Sequence, residues 1–195
     1  MSITATHELM PGTTELRPGR LTLLNGTSSS GKSSIASELL GILNDGWFHL
    51  GIDQFHRVRG PGGWTDEEFR PVFQRTVLGF HRAVAGLATA GNDVVVDSIL
   101  GERWRLADCL QVFDGFPVLF VGIQCSLPEL VRRERERGNR TVGRAAMQHP
   151  LVHQHGVYDL EVDSEHNSPA DCAALIAAQL DQGPGKAFDQ LRSAS

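Results

Sequence analysis

Apolar residues along this chain come in two rhythms, and the alternation between them outlines the fold. Short, mostly apolar runs that suit strands lie at Leu21–Asn25, Phe48–Ile52, Val94–Val96 and Val118–Cys125, the first fit for a buried strand and the last for one covered on both faces, with a more mixed run at Tyr158–Val162. Between them the spacing changes to three and four. Ile35, Leu39, Leu40 and Ile42 or Leu43 make one helical stripe, and Phe73, Val77, Phe80, Val84 and Leu87 make another. A shorter helix is predicted over Arg103–Val112, one from Ser126 to about Arg137, and a last one with Cys172, Leu175, Ile176 and Leu180 on one face.

Polar residues mark the ends of these elements. Thr65 with Glu68 and Ser126 with Glu129 have capping-box spacing, and Trp64 with Phe69 has the spacing of a hydrophobic staple. Ser168, Pro169 and Asp171 form a third helix start, and Gly91 a helix stop. Pro71 is expected to bend or divide its helix. HRVRGPGGW at 56–64 reads as a loop, and 138–156 as irregular polar chain.

Five strands alternating with helices predict an α/β fold with a parallel sheet wrapped on both sides. The expected organisation is a loose N-terminal arm over 1–18, a single domain over 19–182 with a lid at about 133–156, and a disordered tail over 183–195. The 195 residues suffice for one substantial core, and 41% hydrophobic with 21% charged residues is ordinary for a globular protein. No apolar run approaches the roughly 20 residues that span a bilayer, and MSITATHELMPG lacks the pattern of a secretion signal. The expectation is a cytoplasmic protein with no membrane contact. Cys109, Cys125 and Cys172 match no zinc or redox spacing and read as small buried hydrophobes. A net charge of −5 disfavours a nucleic-acid partner.

The chemistry starts with one lysine. The chain has only two, Lys32 and Lys186, and Lys32 lies within Gly26-Thr27-Ser28-Ser29-Ser30-Gly31-Lys32-Ser33, followed by Ser34. This fits G-x-x-x-x-G-K-[ST]. Glycines let the backbone turn its N–H groups onto phosphate, and the following helix adds its positive end. The lysine then addresses the β- and γ-phosphates, and the serine hydroxyl addresses Mg²⁺. At this chain's own composition the four fixed positions would match by chance about 0.003 times.

Two predicted strands end in aspartate, Asp53 and Asp97. In an open parallel sheet, strand carboxyl ends carry the ligand site. One carboxylate is suited to Mg²⁺ and the other to the proton of an attacking hydroxyl. Residues 132–144, RRERERGNRTVGR, hold six of the sixteen arginines and two glutamates. Arg133, Arg137 and Arg140 are read as a lid that stabilises charge on a transferring phosphoryl group, and Arg132 and Arg135 as members of solvated Glu–Arg pairs. His149, His153 and His155 lack an acidic partner and have Pro150 among them, which speaks against a metal site; His56 is a candidate acceptor-side residue.

LNGTSSSGKSSIA, the GID strand end, VVVD, Arg103-Trp104, VLFVGIQC with RERERGNR, and VHQHGVYDLEVDSE together resemble the chloramphenicol phosphotransferase family, over about residues 21–180. The resemblance implies a three-layer P-loop fold like that of small nucleoside and shikimate-type kinases, with a five-stranded parallel sheet and an arginine-rich lid. It implies transfer of the γ-phosphate of ATP to a hydroxyl of a chloramphenicol-like antibiotic or related small molecule. Asp53 would then be the general base. Residues 26–34 would cradle the nucleotide, and Ser33 with Asp97 would place Mg²⁺. Lys32, Arg133, Arg137 and Arg140 would complete the catalytic set. QFHRVRGPGGWTDEEF, with Arg57 and Arg59, is shorter and more basic than its counterpart in the antibiotic-modifying type member. A different acceptor, such as a nucleotide sugar or metabolite, is the first alternative reading, and an ATP-binding regulatory module without an acceptor is the second. Self-association is left open.

Overall fold

The computed structural model describes residues 17–43, 46–137 and 143–194. Five strands form one all-parallel sheet in the order β2-β3-β1-β4-β5: β1 (Leu21–Asn25), β2 (Phe48–Gly51), β3 (Val94–Ser98), β4 (Val118–Gln124) and β5 (Leu160–Asp163). From the central β1 the chain goes to the edge strand β2, returns to β3 beside β1, and then crosses to β4 and β5 on the other side. The carboxyl end of β1 is therefore the switch point at which such sheets open a crevice.

β1, β3 and nearly all of β4 are buried on both faces, as their apolar runs require, whereas the edge strand β2 is only partly covered, with Phe48 exposed. On one face Leu21, Leu23, Val94, Val96 and Phe120 meet α3 (Asp66–Thr89), α4 (Arg103–Val112) and α8 (Ala187–Ser193). On the other, Leu24, Val95, Val121, Ile123 and Val162 meet α1 (Lys32–Ile42) and α7 (Pro169–Leu180). The remaining helices are α2 (Ile52–Val58), α5 (Leu127–Arg137) and α6 (Arg144–Val152). Among the described residues no helix is long and apolar enough to cross a membrane.

Several boundaries differ from the sequence reading, each for a physical reason. β2 stops at Gly51, and the stretch read as strand end and loop forms α2, whose first turn carries Asp53 at its electropositive end. Pro71 neither divides nor ends α3, because it removes a single backbone bond near the helix start. The Thr65–Glu68 box and the Trp64–Phe69 contact are both present. The Ser126 box is only half made: Glu165 accepts from the Ser126 N–H, and Glu129 turns to Arg132 and Arg133. α6 occupies part of the stretch read as irregular. Pro150 falls in its last turn, and the buried Glu134 carboxylate accepts from Gly143 N–H (2.8 Å) and Ala145 N–H (3.1 Å) at its start. β5 begins two residues later than expected, and on α7 the buried partner of Cys172, Ile176 and Leu180 is Ala173, with Leu175 exposed.

The tail differs most. Ala187 and Phe188 of α8 are buried, and the Phe188 ring stands edge-on to Phe120 at 5.2 Å. Asp159 holds this helix in place. Its carboxylate accepts from the N–H groups of Lys186 (2.6 Å), Ala187 (2.8 Å) and Phe120 (2.8 Å). A Cβ at Gly185 would lie 2.0 Å from that carboxylate, so glycine is required there. Asp159→Ala leaves three donors without their acceptor. It is expected to lower stability by about 2 kcal/mol and to expose the C-terminal helix to proteolysis. Urea unfolding and limited proteolysis measure the two effects, and an unchanged midpoint with an uncut tail would contradict this anchoring role.

Candidate active site

The loop between β1 and α1 turns through positions few side chains tolerate. Gly31 has φ 89°, and Ser29, unusually for a non-glycine, has φ 67°. A Cβ at Gly26 would meet Ser30 Oγ at 2.7 Å and the Ile123 carbonyl at 2.9 Å. Thr27, Ser28, Ser29 and Ser30 are all buried, and the Ser29 and Ser30 hydroxyls are buried without a hydrogen-bond partner. Buried orphan hydroxyls are costly, and a ring of them at a helix N-terminus fits an anionic ligand.

Lys32 is enclosed at 6% exposure. Its Nζ donates to the carbonyls of Gly26 (2.9 Å) and Thr27 (2.8 Å) and stands 3.9 Å from Asp97 Oδ1. Ser33 Oγ donates to Asp97 Oδ2 at 2.5 Å. β3 pairs Asp97 with Leu24 of β1 and Gly51 of β2, which brings Asp97 beside the loop as its strand-end position predicts. A hydroxyl and a carboxylate facing each other are hard oxygen donors of the kind Mg²⁺ takes alongside phosphate, so the residues present fit that ion.

Lys32, Ser33, Asp53, Asp97 and Arg137 line one small pocket of about 30 Å³ together with the loop. Ser29, Gly31 and Arg137 also line a cleft of about 620 Å³ that runs past Arg133 to residues 164–169, Ser34 included. Arg133 is fixed by Glu129 (2.6 Å) and the Ser164 carbonyl (2.7 Å), with Nη1 3.9 Å from where a Gly31 Cβ would lie. Arg132 is exposed and paired with Glu129 and Glu136, as its spacing suggested. Arg140 lies outside the described residues.

Three participants gave no signal in the sequence pattern. Gln148 of α6 accepts from the Ser28 N–H at 2.8 Å, so α6 rests on the loop. Glu134 caps that helix. Asn25, the last residue of β1, donates to the Val152 carbonyl (2.9 Å) and Tyr158 OH (2.7 Å) and accepts from the Leu100 N–H (2.8 Å), tying the loop to α6, to the chain after β3 and to the segment before β5.

The histidines near this hub serve the scaffold. Among the described residues no group of His, Cys, Asp and Glu could hold a metal through them. His153 Nδ1 lies 2.6 Å from Tyr158 OH. Burial first, then the charges of His155, His149 and Lys32, push the His153 pKa down to about 4 against the attraction of Glu161. The unfolded chain thus binds a proton below about 6.5 that the folded protein refuses until about 4. The associated stability is complete above pH 6.5, falls as pH drops through this window, and changes no further below it. Urea midpoints measured across the window should fall more steeply for the native protein than for His153→Gln. Parallel curves would contradict the assignment.

Residues 19–181 match the family described as chloramphenicol phosphotransferase-like protein. The chain belongs to that family. Two proteins of Mycobacterium tuberculosis, from strains CDC 1551 / Oshkosh and ATCC 25618 / H37Rv and each provisionally named an O-phosphotransferase, are 30% identical to it over 198 residues, covering 89% of this chain and 88% of theirs. Among solved structures, the Mycobacterium tuberculosis APS kinase in complex with AMPPNP and APS is similar in fold: TM-score 0.65 at 19% identity, covering 84% of this chain and 98% of that one. A gluconokinase from Sinorhizobium meliloti 1021 is similar at TM-score 0.59 and 18% identity, covering 92% and 99%. Family and fold together make this member of the chloramphenicol phosphotransferase-like family a phosphotransferase built on the P-loop kinase fold.

Proposed function

We propose that this phosphotransferase moves the γ-phosphoryl group of ATP to a hydroxyl of a small molecule. The observation that carries the reading is the shared pocket, in which the loop lysine, the Ser33–Asp97 pair, Asp53 and Arg137 converge. The backbone N–H groups of residues 26–34 and the N-terminus of α1 receive the phosphates, and the larger cleft along 164–169 receives the nucleoside. Lys32 lies against the β- and γ-phosphates. Ser33 and Asp97 hold Mg²⁺, which when bound neutralises phosphate charge.

Asp53, on the first turn of α2, takes the proton of the acceptor hydroxyl. The oxygen so freed forms a bond to the γ-phosphorus, the bond from that phosphorus to the β–γ bridging oxygen breaks, and ADP leaves. Arg137 and Arg133 steady charge spreading over the phosphoryl oxygens, and Arg140 is assigned to the same set on its sequence spacing. Chloramphenicol is one candidate acceptor, suggested by the family's description.

The test is ADP release measured across hydroxyl compounds, chloramphenicol included, with each product weighed for one added phosphate. The reading expects release that depends on an acceptor. Release indifferent to every acceptor would favour a nucleotide-driven regulatory module.

A further inference from the structure

Beside Asp53, α2, α3 and α4 bring together cations and aromatic rings that line neither the small pocket nor the cleft. His56 stacks on Phe73, centroids 5.2 Å apart and planes 7° from parallel, and Phe69 and Trp64 continue the aromatic surface at 6.0 Å steps. Arg59 lies 5.1 Å from both the Trp64 and Phe69 rings and donates to His56 Nδ1 and Thr76 Oγ1. From α4, Arg105 lies 4.8 Å from the Phe73 ring and donates to the Ile99 carbonyl and Glu102. Arg144 opens α6. Burial and the charges of Arg59, Arg144 and Arg105 hold the His56 imidazole below its usual pKa, opposed by Asp53. Cations from three elements therefore gather around one ring beside the proposed base.

Two further facts point to a ligand. Nε of Arg59 and Nε of Arg105 are buried without a hydrogen-bond partner, a costly arrangement at a charged group unless an acceptor arrives. Neither arginine lines the nucleotide cleft or the small pocket, so neither is committed to the phosphates of ATP. This concentration of positive charge occurs in a chain of net charge −5, and a neutral alcohol would leave it unanswered.

Resting on the proposed function, we propose that the acceptor is an anion: a hydroxyl compound bearing a carboxylate, sulfate or phosphate group. Arg59 and Arg105 receive that group across the aromatic surface of His56 and Phe73, with Arg144 adding charge from α6, while the hydroxyl faces Asp53. Planar guanidinium donors match carboxylate and phosphate oxygens in pairs, and sulfate presents the same kind of oxygen edge.

The test uses protein loaded with AMPPNP and Mg²⁺, so that the phosphate loop is filled, titrated calorimetrically with phenyl phosphate and with benzyl alcohol. Phenyl phosphate is expected to bind saturably, about tenfold or more weaker in Arg59→Gln and in Arg105→Gln, and benzyl alcohol not to compete. Thermal unfolding identifies variants that keep the native fold. If Arg105→Gln does not, Arg105→Lys, which keeps the charge without the fork, and exposed Arg144→Gln replace it. Absence of saturable binding, equal affinity in folded variants, or benzyl alcohol binding as tightly would overturn the proposal. Turnover separates it from the function it rests on. In matched pairs such as gluconate with glucose and adenosine 5′-monophosphate with adenosine, the anionic member should be preferred, and Arg59→Gln should raise its KM but not that of ATP. Phosphorylation of neutral members alone, indifferent to Arg59→Gln, sinks the anionic acceptor while sparing the kinase. Anion binding at the arginines without transfer to any acceptor does the reverse.

Discussion

Asp53→Ala is expected to lower acceptor-dependent phosphoryl transfer by about 10²–10⁴-fold, the range a positioned general base contributes, with nucleotide affinity unchanged. The reasoning is geometric. Asp53 sits on α2, not on the phosphate loop, and lines with the loop the small pocket where γ-phosphate and hydroxyl would meet. Asp53→Asn keeps the shape and removes the proton acceptor, so it should be as inactive as the alanine variant. Asp97→Asn should behave differently. Asp97 contacts Ser33 and approaches Lys32, so its loss should raise the Mg²⁺ concentration needed for half-maximal rate. Steady-state rates over a Mg²⁺ series separate the two carboxylates. If Asp53→Asn changed the Mg²⁺ requirement instead of the maximal rate, the two roles would be exchanged.

Lys32→Met should cost roughly 10³-fold in transfer, comparable to removing a preorganised charge partner of the transition state, and should weaken nucleotide binding as well. Methionine fills the enclosed space without the charge. Stability should fall as well, because the Gly26 and Thr27 carbonyls lose their donor and Asp97 its neighbouring cation. Lys32→Arg should not rescue the activity. The site, bounded by the Gly26 and Thr27 carbonyls and Asp97, is shaped for a compact point charge, and a planar fork does not fit it. Calorimetric nucleotide binding alongside turnover checks both statements, and an active arginine variant would contradict this view of the loop.

What the sequence disclosed, and what it did not, follows from the range of the forces involved. The three central strands were legible because their apolar runs are buried on both faces; the edge strands β2 and β5, only partly covered, left weaker patterns. The phosphate loop was legible because its chemistry is local: eight consecutive residues set the turn, the charge and the hydroxyl. Asp97 was placed correctly because strand ends share one edge of a parallel sheet. Asn25 could not be read, since its partners Val152 and Tyr158 lie 127 and 133 residues away. Glu134 sits inside a run whose composition suggests solvated pairs, yet it caps α6 through N–H groups 9 and 11 residues further along the chain. Arg105 had nothing to single it out within the short helix predicted over Arg103–Val112, because its neighbours Phe73 and His56 come from α3 and α2. The stretch most particular to the family, VHQHGVYDLEVDSE, supplies anchors here: Tyr158 to β1 and Asp159 to α8.

The most direct test of the account follows the γ-phosphoryl group itself. ATP carrying heavy oxygen on that group is incubated with the protein, Mg²⁺ and an acceptor mixture, and the label is traced by mass spectrometry. The account predicts label in an organic phosphate ester for the native protein and none in that ester for Asp53→Ala. Label found only in inorganic phosphate, at the same rate with or without acceptors, would contradict it.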